Sequence, residues 1–156
     1  MQKSVVVIPT YNSKNTIKNL VDEVLTYLPK TKIVVVDDNS PDGTANEIKK
    51  YFAKDQRITL IIRKRKEGRG SAVIEGFQEG LKDKKVEFLI EMDSDLCHSP
   101  KYIPVMIKKC KKYDVVIASK YLKKSKIIGL SFKRILFSRT VNSFIRFMLR
   151  IPITDY

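Results

Sequence analysis

Short β-branched runs alternate with stretches of helical periodicity along this chain, and that alternation restricts the fold more than any other feature. The runs are KSVVVIP (3–9), KIVVVDD (32–38), ITLIIR (58–63), EFLIEMD (87–93) and YDVVIASKY (113–121). They are near-continuously apolar, the mark of strands buried on both faces of a parallel sheet. Between the first two, residues 16–27 put Ile17, Leu20, Val21, Val24 and Leu25 on one helical face, with Ser13 or Asn15 as the candidate cap. SPDGTANEIKKYF (40–52) is a Pro-Asp-Gly turn leading into a second helix, and EGRGSAVIEGFQEGL (67–81) a glycine turn opening a third. Ser99 caps a fourth, with Pro100 at its first position. The predicted class is α/β: a single mostly parallel sheet flanked by helices on both faces, ending in an amphipathic helix.

In such sheets ligands bind outside the carboxyl ends of the strands. That rule gathers four polar clusters on one rim: Thr10-Tyr11-Asn12, Asp37-Asp38-Asn39, Arg63 to Ser71, and Asp93-Ser94-Asp95. Two carboxylates one residue apart repel each other unless something neutralises them. A hard divalent ion does so, since Mg²⁺ takes one or two carboxylates plus substrate phosphates. The bland alternative is that Asp95 or Ser99 caps the next helix and Asp93 satisfies a turn. At Asp37-Asp38 a carboxylate can accept from a base N–H or a ribose hydroxyl, or an Asx-turn can close the strand with Asp42-Gly43. In RKRKEGRGSA (63–72), Gly68 and Gly70 among cations suit a diphosphate cradle, with Lys66 beside them; a solvated basic loop is the alternative. It is no dinucleotide fingerprint, because Val73 stands where a third glycine belongs.

Charge is unevenly spread. Residues 1–100 carry 17 Lys+Arg against 15 Asp+Glu, and residues 101–156 carry 14 against 2. The basic tail GLSFKRILFSRTVNSFIRFMLRIPI (129–153) repeats Arg134, Ser138, Asn142, Arg146 and Arg150 every fourth residue amid aromatic and aliphatic side chains. A helix of that kind lies on a membrane surface rather than crossing it, and Arg and Ser one turn apart can grip a phosphate. A core helix lacking its partner is the alternative. Cys97 and Cys110 are too few for a disulfide framework or a four-cysteine zinc site. With no secretory leader pattern in residues 1–15, a reducing, cytoplasmic setting is expected. The lone histidine, His98, reads as an exposed rim residue rather than a catalytic base.

VVVIPTYN, VVVDDNSPDGT, GRGSAVIEGF, MDSDLCHSP and ASKY, in this order and spacing, resemble family 2 glycosyltransferases of the Rossmann-like GT-A (nucleotide-diphospho-sugar transferase) fold, and among them the dolichol-phosphate (polyprenol-phosphate) mannosyltransferase branch. The resemblance implies a nucleotide-sugar donor, usually GDP-mannose, a polyprenol or dolichol phosphate acceptor, and Mg²⁺ or Mn²⁺ held by Asp93 and Asp95. It implies a nucleotide-sugar site among Pro9, Thr10, Tyr11, Asn12, Asp37, Asp38, Lys66, Gly70, Asp93 and Ser94. Lys120, Arg134 and Ser138 would bind the acceptor phosphate and, with Asp95, carry catalysis. Ser13 stands where the family often has Glu, Cys97 where it has Gln or Ser, and Lys120 where it has Arg. Relatives continue beyond a segment like ITDY, so the expected organisation is a catalytic domain over 1–126 and a basic interfacial segment over 127–156 that begins a missing part. Expected partners are the cytosolic face of a membrane, where the chain would sit peripherally, and a membrane-anchoring subunit, with no nucleic acid. Other readings are a family 2 transferase using UDP-glucose or another UDP-sugar, and, in a different class, an inactive fragment or a basic phosphate- or nucleic-acid-binding module.

Overall fold

The computed structural model describes residues 3–119 and 132–150. Four strands, β1 (Ser4–Thr10), β2 (Lys32–Asp37), β3 (Ile58–Ile62) and β4 (Phe88–Glu91), form one parallel sheet in the order β3-β2-β1-β4. Between them run α1 (Ile17–Tyr27), α2 (Thr44–Phe52) and α3 (Arg69–Gly80). A 3-10 turn (Pro100–Tyr102) and α4 (Ile103–Lys109) follow β4. The chain divides into two units, Met1–Ile107, which holds the sheet, and Lys108–Tyr156, which holds α5 (Phe132–Leu149). The expected boundary at residue 126 lies outside the described residues.

Side chains alternate across each strand, so a doubly covered sheet has two cores. Val6, Ile8, Ile33 and Val35 meet Ile17, Leu20, Val21 and Val24 of α1, Ile48 of α2 and Ile103 of α4. The opposite parity, Val5, Val7, Val34 and Val36, meets Ala72 and Phe77 of α3. The central strand β1 is buried along its whole length. On the α3 face the helix approaches unusually closely. A Cβ added at Gly76 would lie 2.3 Å from Val7 Cγ1, so only glycine lets α3 seat against β1.

Three local expectations need correction. Residues 113–119 form no strand, and Val115 is 73% exposed; β-branched propensity needs a pleated, half-buried neighbour to act on. Neither Ser13 nor Asn15 caps α1. Thr16 holds the N-cap position without a side-chain cap bond, and the Ser13 carbonyl accepts from the Thr16 and Ile17 N–H groups instead. Ser99 does hold the N-cap before Pro100, yet its hydroxyl accepts from no backbone N–H and donates to Glu23 on α1. For Ser13 and Ser99 a tertiary partner, Ser94 and Glu23 respectively, takes the place of the local cap bond.

The tail helix is present as α5, and Phe137, Phe144, Phe147 and Met148 on it are exposed. Among the described residues no helix is long and apolar enough to cross a membrane.

Candidate functional site

Because all four strands run parallel, their carboxyl ends open on one edge of the sheet. The loops there enclose a cavity of about 270 Å³ lined by Pro9, Thr10, Tyr11, Asp38, Lys66, Gly68, Arg69, Ala72, Asp93, Ser94 and Asp95. Residues from four separate stretches of sequence thus share one wall.

The two acids ending β2 have different surroundings. Asp37 is turned inward: Oδ1 accepts from Thr10 Oγ1 at 3.0 Å and Ser40 Oγ at 2.6 Å, and Oδ2 from the Ser40 N–H at 2.9 Å. It closes the turn after β2 and ties it to β1, away from the cavity wall. Asp38 lines the cavity, and its carboxylate accepts from the Glu67 N–H (3.1 Å), the Gly68 N–H (2.8 Å) and Arg63 Nη1 (2.8 Å). Burial pushes this carboxyl up. The two backbone donors and Arg63 outweigh it and hold Asp38 below the usual carboxylate range.

Arg63 is the residue that sequence reasoning left without a role. Its side chain is only 7% exposed and reaches Asp38, Glu67 at 2.6 Å, Ser71 at 2.9 Å and Glu75 at 3.3 Å. One guanidinium therefore fixes the 63–71 loop and the start of α3. Gly68, at φ +94°, lets the chain turn into that helix. The expected diphosphate cradle changes character accordingly, since the amides of residues 67 and 68 are already engaged by Asp38. Gly70 opens the first turn of α3, and a Cβ there would meet nothing within 4 Å.

Tyr11 and Lys66 form the cavity's outer lip, with Lys66 Nζ 3.7 Å from the centre of the Tyr11 ring, a cation–π contact. Asn12 and Asn39 both adopt left-handed backbone, at φ 58° each, a conformation asparagine tolerates better than most residues. The Asn12 N–H donates to Ser40 Oγ at 3.0 Å and Asn39 Nδ2 to the Lys64 carbonyl at 3.2 Å.

After β4 the chain is pinned before it turns. Ser94 Oγ pairs with Ser13 Oγ at 2.7 Å, and its carbonyl accepts from Thr16 Oγ1 at 2.7 Å. Ser13 thus anchors the loop carrying the acidic pair. Asp93 Oδ1 accepts from Arg69 Nε at 2.7 Å, and Arg69 Nη2 also bonds Glu91. His98 Nδ1 lies 3.9 Å from Asp93 Oδ2. Asp95 Oδ1 accepts from the Cys97 N–H at 2.9 Å. Burial pushes the Asp95 carboxyl up, and the Cys97 backbone and thiol, with His98, more than offset it. The Cys97 thiol is pushed up by its bond to Asp95 and by burial. It stays a thiol, which suits no hard cation.

Among the described residues no three His, Cys, Asp or Glu side chains gather as a closed cage. Two carboxylates sharing one cavity wall do suit a small hard ion that completes its shell with phosphate oxygens and water.

Lys120 lies outside the described residues. Arg134 and Ser138 stand one turn apart on α5.

Comparison with known proteins identifies the chain's lineage. The model of glycosyl transferase family 2 matches residues 5–154. The chain belongs to glycosyl transferase family 2. This family 2 chain is 34% identical to polyprenol monophosphomannose synthase of Mycolicibacterium smegmatis, over 99% of its own length and 58% of the relative's. It is 38% identical to the dolichol-phosphate mannosyltransferase of Pyrococcus furiosus, over 86% of its own length and 38% of the relative's. The chain therefore spans well under two thirds of these curated relatives. In fold it matches a Pyrobaculum calidifontis mannosyltransferase solved with GDP-Man and Mn²⁺, at TM-score 0.59 and 23% identity, over 72% of this chain and 33% of that one. The parallel sheet with helices on both faces is the GT-A fold.

Proposed function

We propose that the protein is a metal-dependent glycosyltransferase that moves a sugar, mannose from GDP-mannose, onto a polyprenol or dolichol phosphate. The observation that carries this reading is the convergence of Asp93 and Asp95 with Pro9, Tyr11, Asp38 and Lys66 around one cavity at the carboxyl rim. The named activities of the relatives point the same way.

In this reading Asp93 and Asp95 hold Mg²⁺ or Mn²⁺. When bound, such an ion stabilises the charge that develops on the leaving diphosphate. The protein's own groups do the rest. Arg63 and Asp38 fix the loop that walls the donor, Tyr11 and Lys66 border its nucleotide end, and Ser13 and Thr16 keep the acidic loop in place. The acceptor phosphate is mostly dianionic at neutral pH, since the second pKa of a phosphomonoester is about 6. An inverting attack at the anomeric carbon then needs positioning more than a general base. Lys120, Arg134 and Ser138 are the proposed grip on that phosphate, and the basic apolar tail would hold the chain at the membrane face where the lipid resides.

A thermal-shift series tests the donor and the metal together. A ligand bound only by the folded state raises the midpoint by mass action. GDP-mannose with Mn²⁺ is expected to raise the midpoint, and GDP-mannose without metal to raise it little. Asp95→Ala is expected to fold and to lose the metal-dependent part. A shift with UDP-glucose instead would reassign the donor, and no shift with any nucleotide sugar would reject the transferase reading.

A further inference from the structure

We propose that Arg69 is the resident counter-cation of the acidic rim, and that it becomes a ligand of the donor's diphosphate when a divalent ion replaces it on Asp93. The inference rests on the transferase reading above and assigns a residue that the sequence motifs left unassigned.

Parity places the partners. Leu89 of β4 packs on the α3 face of the sheet, so Glu91, two residues on, points to that face too. Arg69 is the first residue of α3 and stands over the same strand end. Its guanidinium joins Glu91 to Asp93, which lies just beyond the strand. The repulsion between neighbouring carboxylates is thus already relieved, by one positive charge supplied from within the chain. A divalent ion seeking Asp93 must compete with it.

That competition is winnable because the pair is exposed. The Arg69 side chain is 57% accessible, and ion pairs in that setting are weak and exchange readily. A doubly charged ion attracts the same carboxylate more strongly than a guanidinium does. Glu91 keeps Arg69 at the rim after the exchange, because it bonds a different nitrogen from the one on Asp93.

The diphosphate needs such a donor. The amides of Glu67 and Gly68 are spent on Asp38. Lys66 and Arg69 are the two cations on the cavity wall among the described residues, and Lys66 rests on the Tyr11 ring at the lip. Arg69, released from Asp93, has a planar fork matched to phosphate oxygens.

The test separates two affinities. Mn²⁺ alone is titrated into the wild-type chain and into Arg69→Gln, with free ion followed by electron paramagnetic resonance. GDP is then titrated at saturating Mn²⁺ by calorimetry, and a thermal melt checks that each variant is folded. Arg69→Gln is expected to bind Mn²⁺ about 2–5-fold more tightly, the scale of a lost exposed ion pair, and GDP about tenfold or more weakly. Arg69→Lys keeps the charge but loses the fork. It should move both affinities the same way by less, and it serves as the probe should Arg69→Gln melt early. A merely structural role would weaken both affinities together. Unchanged or weaker Mn²⁺ binding in the variants overturns the counter-cation role, and unchanged GDP binding overturns the diphosphate role. A wild-type chain that binds neither Mn²⁺ nor GDP overturns the transferase reading itself, a result distinct from either.

Discussion

At the scale of single residues, the site depends on which carboxylates are free and which are engaged. Asp37 and Asp38 are adjacent and identical in sequence, yet one closes a turn and the other anchors a loop on the cavity wall. The Asp38–Arg63 pair is buried, at 5% and 7% side-chain exposure. Removing one partner of such a pair leaves a desolvated charge, so Asp38→Ala is expected to cost about 3–5 kcal/mol of unfolding free energy, measured by urea denaturation. The pH dependence has a definite sign. The folded-state pKa of Asp38 lies below its unfolded value, about 3.9. Its contribution is therefore complete above the unfolded pKa and is lost as pH falls through the folded one. Asp38→Asn should flatten that acid limb of the stability curve, and an unaltered limb would contradict the assignment. The chain showed an acidic pair at each of two strand ends. It did not show that Arg63 would hold one member of the first pair and Arg69 one of the second, because the arginines reach Asp38 and Asp93 only after the crossovers are made.

At the scale of elements, the packing of α3 on the sheet sets the cavity wall. Gly76 permits that approach, and a methyl group there would overlap Val7. Gly76→Ala is expected to destabilise by about 1–3 kcal/mol, the usual range for overpacking a tight interior. The same shift of α3 would move Arg69 away from β4, so Mn²⁺–GDP affinity should fall with the thermal midpoint; a variant as stable as wild type would show that the helix can retreat freely. The strands β1 to β4 and helices α1 to α3 were legible because hydrophobic period and turn residues agree there. The run at 113–119 was misleading for the converse reason. Its valine and isoleucine content satisfies strand propensity, but propensity alone does not supply a ladder partner or a covered face.

At the scale of the whole molecule, the excess positive charge lies in residues 101–156, which carry 14 Lys+Arg against 2 Asp+Glu. The proposed membrane association predicts cosedimentation with vesicles containing anionic lipid. Binding should weaken markedly between about 50 and about 500 mM salt, as the Debye length contracts. Salt-independent binding would assign it to the apolar side chains of α5 instead, and no binding would remove the membrane from the proposal. What the amino-acid sequence determined unaided is the alternation of strand and helix and the polar residues that end each strand. Both are written locally, in side-chain period and in Gly, Pro, Asp and Asn at the turns. Only the tertiary structure decided what those polar residues do. The parallel order β3-β2-β1-β4 brings strand ends from across the chain to one edge, and there burial and competing donors engage Asp37 and Asp38, bridge Asp93 to Arg69, and hold Asp95 on the Cys97 N–H. Which carboxylate is paired depends on groups distant in sequence, and no local pattern can encode that choice.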